Sequence, residues 1–215
     1  WLSLGSAYRT WNQMDEAEQS YERAKALEAG NALVYQGLAD TYRAQGRNQE
    51  AVAAYDQAVA LDHGQADALL SLASLQLQQG SWPDALAAFQ LAVQIEPAYP
   101  TGHIGLGDAY RARGQPDLAL AEYQAAAQAN PGSAEAWTAL ADETLLRGDV
   151  QTANVAYERA QHVEPAYIQS YTNLGNLYRA LAQWDKAEAV YQEAIAANAG
   201  DCAGYTGMAA LKRAQ

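Results

Sequence analysis

The sequence predicts an all-α fold, a solenoid of stacked helix pairs, on three observations. Residues 100–133 find their own pattern again when slid by one period in either direction, so that Gly107 falls on Ala73 and on Ala141. A period of this size signals stacked repeats, each a unit that cannot bury its apolar face alone. Within each period, apolar and small residues spaced three and four apart run on, break, and run again, as in two amphipathic helices joined by a turn. Half of the 215 residues are apolar, and Ala is abundant while Gly and Pro are modest, which favours helix over disorder.

The register divides the chain into repeats 1–31, 32–65, 66–99, 100–133, 134–167 and 168–201, with half a repeat at 202–215. In each first helix a small residue recurs as Gly5, Ala39, Ala73, Gly107, Ala141, Gly175 and Ala209, with Leu or Met before it from Leu38 to Met208. The breaks fall at Asn12, Gly46, Gly80, Gly114, Gly148 and Ala182. Gly fits the left-handed conformation that ends a helix, so Asn12 and Ala182 are the two looser stops.

Second helices repeat more strictly. Ala17, Ala51, Ala85, Ala119, Ala153 and Ala187 are each followed four residues on by Tyr21, Tyr55, Phe89, Tyr123, Tyr157 and Tyr191. Pro83 and Pro116 stand in first turns, where a missing N–H costs nothing, and Asp15, Glu16 and Asp185 suit the helix dipole there. The runs end at Glu96-Pro97, Asn130-Pro131 and Glu164-Pro165. Ala29, His63 and Ala199 replace that proline elsewhere, which predicts softer junctions. Trp1 enters a repeat already begun and the last repeat lacks a second helix, so both ends read as cut; Lys212, Arg213 and Gln215 also suit a polar cap.

Taken together, an aromatic residue, Leu-Gly, Tyr, Ala, aromatic, Ala, Pro, quoted from Leu106, Gly107, Tyr110, Ala119, Tyr123, Ala126 and Pro131, resembles the signature of the tetratricopeptide repeat family over the full length. That resemblance implies about six antiparallel helix pairs in a right-handed superhelix, first helices lining a concave groove and second helices forming its back. It also implies a single array over 1–215 whose work is to hold a protein or peptide.

Composition narrows the partners. A net charge of −12 and a pI near 4.5 oppose a phosphate backbone, which argues against nucleic acid. No apolar run approaches a membrane span, which argues against membrane insertion, and a soluble chain, with the cytoplasm slightly favoured, is the expectation. The single cysteine, Cys202, forms no internal disulfide and has no neighbouring cation to activate it.

Catalytic and metal chemistry find no constellation. His63, His103 and His162 fall at a junction, an aromatic slot and a late second-helix position, without ligand spacing. The run GHIGLG at 102–107 follows no strand, and its glycines fall on repeat positions. Asp142 and Glu143 are adjacent on a helix and point apart. The expectation is a protein that is not an enzyme and uses no cofactor.

The groove therefore carries the function. Transferring the family's geometry gives Gln36, Asp40 and Arg43 in the second repeat, and Leu70, Ser74 and Leu77 in the third. The fourth supplies Ile104, Asp108 and Arg111, the fifth Thr138, Asp142, Leu145 and Leu146, and the sixth Thr172, Asn173, Asn176 and Arg179. Apolar stations between polar rungs suit an extended or helical peptide, although Asp40–Arg43 and Asp108–Arg111, three apart, also suit plain intrahelical pairs. Lysines of a carboxylate clamp are missing at Gln36, Leu70 and Ile104, and a continuous asparagine ladder reduces to Asn173 and Asn176. The function expected is a non-catalytic interaction scaffold. The alternatives are the substrate-recruiting arm of a larger enzyme such as a glycosyltransferase, or a self-associating module docking through Leu2, Leu4, Met208 and Leu211.

Overall fold

A computed structural model describes residues 1–214; the cap reading of Gln215 lies outside the described residues. Thirteen helices, and no strand, occur among the described residues. First helices are α1 (Leu2–Thr10), α3 (Ala32–Ala44), α5 (Ala66–Gln78), α7 (Pro100–Ala112), α9 (Ala134–Leu146), α11 (Ile168–Ala180) and α13 (Cys202–Ala214). Second helices are α2 (Met14–Leu27), α4 (Asn48–Leu61), α6 (Trp82–Ile95), α8 (Pro116–Ala129), α10 (Val150–Val163) and α12 (Trp184–Ala197).

The packing divides the chain into two compact units, Trp1–Pro97 and a second from Ala98 onward, and the division falls at a repeat junction. In the first unit α1/α2, α3/α4 and α5/α6 are the packed pairs, with α3 also against α2 and α5 against α4. In the second, α7/α8, α9/α10 and α11/α12 pair likewise, and α13 packs on α11 and α12.

Local chemistry accounts for the turns. Gly46, Gly80, Gly114 and Gly148 take positive φ, and so do Asn12 (φ 60°) and Ala182 (φ 55°). The two looser stops thus make the same left-handed turn as the glycines: Gln13 N–H donates to the Tyr8 carbonyl and Gln183 N–H to that of Tyr178, both at 2.9 Å. All six second helices end at the same register position, at Leu27, Leu61, Ile95, Ala129, Val163 and Ala197, whether or not a proline follows. At Asp62-His63 and Asn198-Ala199 a side-chain oxygen accepts from the N–H two residues on, at 2.9 and 3.1 Å, as Asn130 does before Pro131 at 3.0 Å.

The core runs along the seams between helices. Tyr21, Tyr55, Phe89, Tyr123, Tyr157 and Tyr191 are buried to 2 % exposure or less, and Ala17, Ala51, Ala85, Ala119, Ala153 and Ala187 are fully buried beside them. Small residues let the rings in. A Cβ on Gly175 would lie 2.5 Å from the Tyr191 ring, and one on Gly207 of the following helix would also enter it, so Tyr191 is wedged between α11 and α13.

Candidate functional site

First helices place one recurring polar residue over the hydroxyl of the buried second-helix tyrosine. Tyr123 Oη donates to Asp108 Oδ1 at 2.6 Å, Tyr191 Oη to Asn176 Oδ1 at 2.8 Å, and Tyr157 Oη to Asp142 Oδ1. In the first unit Tyr55 donates to Asp40, which also accepts from Arg9. The third repeat lacks both halves of the pair: Phe89 has no hydroxyl, and Ser74 turns its own to the Leu70 carbonyl at 2.8 Å. Burial, reinforced by Asp40, pushes the Tyr55 hydroxyl up to about 12; burial with Asp108 and Asp142 likewise raises Tyr123 and Tyr157 above the ordinary phenol value.

These contacts change the meaning of the polar row. Asp40, Asp108 and Asp142 each have an oxygen engaged by a tyrosine beneath, so a ligand meets a carboxylate already held in place. Burial raises the Asp142 carboxyl, against the lowering by its hydrogen bonds from Tyr157 and from Asn173 Nδ2 at 2.8 Å. Arg43 pairs with Asp40 at 3.6 Å and Arg111 with Asp108 at 2.8 Å, both the three-apart intrahelical pairs that the spacing allows.

The predicted residues separate by exposure. In the first unit Arg43 and Ser74 are exposed, Gln36, Asp40 and Leu77 are half-buried, and Leu70 is buried. In the second, Ile104 and Thr138 are buried at 9 % and 3 % exposure and offer a ligand little surface. Arg111, Asp142, Leu145, Leu146, Asn173 and Asn176 come together around a depression of about 540 Å³ on the face of α9 and α11. Leu177, Ala180 and Tyr157 complete its lining and were not singled out from sequence. Leu177 lies four residues beyond Asn173 and Ala180 four beyond Asn176, so a helical reading of that face offers them. A second depression, of about 450 Å³, adjoins the first by sharing Asn173 and Asn176 and also takes in Thr172 and Arg179.

Elsewhere the chemistry stays structural. His103 Nδ1 lies 2.8 Å from Glu122 Oε2 between α7 and α8, and Cys202 is exposed at the start of α13. No group of three or more potential metal ligands occurs among the described residues. No helix among them is long and apolar enough to cross a membrane.

Paired antiparallel helices with a buried aromatic ring, Tyr or Phe, recurring in each second helix define an α–α repeat protein. Family models described as tetratricopeptide repeat match residues 1–31, 37–102, 76–142 and 170–203, and the chain belongs to that family. Proteins with this fold are generally non-catalytic interaction scaffolds. No curated protein matches the sequence.

Solved structures share the fold at low identity. PilF of Pseudomonas aeruginosa is similar at 17 % identity and a TM-score of 0.76, over 97 % of this chain and 95 % of its own. A chain of the APC/C hetero-tetramer Cut9–Hcn1 is similar at 19 % identity and a TM-score of 0.75; this chain is covered whole and spans 42 % of that one. YrrB, a tetratricopeptide repeat protein described as having an unusual peptide-binding site, matches at 20 % identity and a TM-score of 0.59, over 89 % of this chain and 98 % of its own.

Proposed function

We propose that the second unit holds an extended peptide segment of a partner protein across α9 and α11, an apolar side chain of the peptide seated in the depression between them. The observation that carries this is Leu146, 71 % exposed at the rim of a concavity whose walls include Leu145, Leu177 and Ala180. A large apolar side chain left in water beside an apolar hollow gains from being covered, at about 25 cal/mol per Å² removed from solvent. Asp142 and Asn173, fixed to each other and to Tyr157, stand at the edge as oriented polar groups for a peptide backbone. The likeness to YrrB, which has a peptide-binding site, adds support from the same fold.

Selection of peptides from a random dodecapeptide library displayed on phage tests the reading. Enriched sequences should share a large apolar residue. When synthesised with a fluorophore, they should bind Leu145→Asp at least about tenfold more weakly than the unaltered protein, by fluorescence anisotropy. Affinity unchanged in Leu145→Asp, or no enrichment, rejects it.

A further inference from the structure

Arg179 differs from its three counterparts in register, Arg9, Arg43 and Arg111, each of which is paired with an aspartate. Arg43 and Arg111 each have an aspartate three residues before them, at 3.6 and 2.8 Å. At the same place before Arg179 stands Asn176, whose side-chain oxygen is taken by Tyr191, and no carboxylate among the described residues pairs with Arg179. Its guanidinium lies at the Tyr191 hydroxyl, yet its buried Nε has no hydrogen-bond partner. The residue as a whole is only half-buried and lines a depression, and a guanidinium is the donor best shaped for a carboxylate.

Arg179 lines the second depression with Thr172, Asn176, Tyr191 and Thr206, a wall of neutral hydrogen-bonding groups around one uncompensated cation. That wall adjoins the apolar depression through Asn173 and Asn176. Resting on the peptide-holding function above, we infer that Arg179 receives the carboxylate of an Asp or Glu side chain on the bound peptide, and so sets the partner's sequence. Neighbouring helices lie 8–10 Å apart and an extended chain advances about 3.3 Å per residue, which separates the acid from the apolar anchor by about three residues. The chain as a whole, at −12, repels acidic peptides, so a preference for acid must come from a local cation.

The test repeats the phage selection on the unaltered protein, on R179Q, and on R43Q, which removes the same charge from the first unit. The unaltered protein and R43Q should both enrich peptides in which an apolar residue is joined by Asp or Glu about three positions away. R179Q should keep the apolar residue and lose the acid. A synthetic peptide from the first pool should bind the unaltered protein about tenfold more tightly than R179Q, and its Glu→Gln version should bind the two equally. That equality also shows that R179Q is folded. Absence of acidic enrichment, or acid preference retained in R179Q, overturns the role of Arg179 while leaving the apolar seat standing. Binding that ignores Leu145→Asp removes the peptide-holding function and this inference with it.

Discussion

Tyr123 and Asp108, fifteen residues apart, are joined by a 2.6 Å hydrogen bond from a phenol buried in the seam to a carboxylate on the face above it. Variants of the pair bear on stability. Tyr123→Phe removes this bond but leaves Asp108, its side chain 40 % exposed, paired with Arg111, so it should cost about 0.5–1.5 kcal/mol, the range for a typical hydrogen bond. Adding Asp108→Ser copies the Phe89/Ser74 pair of the third repeat and should cost less on the Tyr123→Phe background than by itself. Urea unfolding of the two single variants and the double gives the coupling; additive losses would show that the pair does not interact.

Alkaline titration reads the same pairs another way. Tyr55 is raised to about 12, against about 10 for a tyrosine in an unfolded chain. Between those values the folded state keeps a proton that the unfolded state has lost, so stability is full below pH 10 and falls as pH rises towards 12. Absorbance from the buried tyrosines should appear only together with loss of helical circular dichroism. Early ionisation of all 14 tyrosines in an intact fold would contradict the burial.

Ala182 sits at φ 55° in a turn that glycine makes elsewhere. Left-handed backbone costs a residue with a Cβ about 1–2 kcal/mol, and glycine gives back about 0.5–1 kcal/mol in unfolded-state entropy. Ala182→Gly should therefore stabilise by about 0.5–1 kcal/mol, seen as a rise of about one to four degrees in Tm. The reverse change, Gly148→Ala, should lower Tm.

Glu143 is 1 % exposed and its Oε2 has no hydrogen-bond partner, at a register position held by Ala109 and Leu177 in the neighbouring first helices and by Leu75 in α5. Glu143→Leu should stabilise the second unit by about 1–3 kcal/mol, the range for relieving an unsatisfied buried polar group. Chemical denaturation decides it, and a destabilised variant would assign the carboxylate a structural partner.

Much of this protein was legible from its period. Ala153, Ala187, Tyr157 and Tyr191 recur at fixed spacing because each repeat solves the same packing problem, so helix count, turn positions and core rings follow from the sequence. Asp142, Leu145, Leu146 and Asn173 could be placed on one face for the same reason. What the period does not encode is what a side chain does once it is there. Asp40 and Asp108 read as ligand rungs, yet the tyrosines beneath them use the same oxygens. Ile104 and Thr138 share the face in projection but are buried, Ile104 in a cluster with residues of α8 and α9. Periodicity fixes direction around a helix axis, which is local geometry. The depth of a side chain and the partner of its polar atom depend on residues fifteen or more positions away, so only the packed structure could give Arg179 its missing counterion and Leu146 its exposed place.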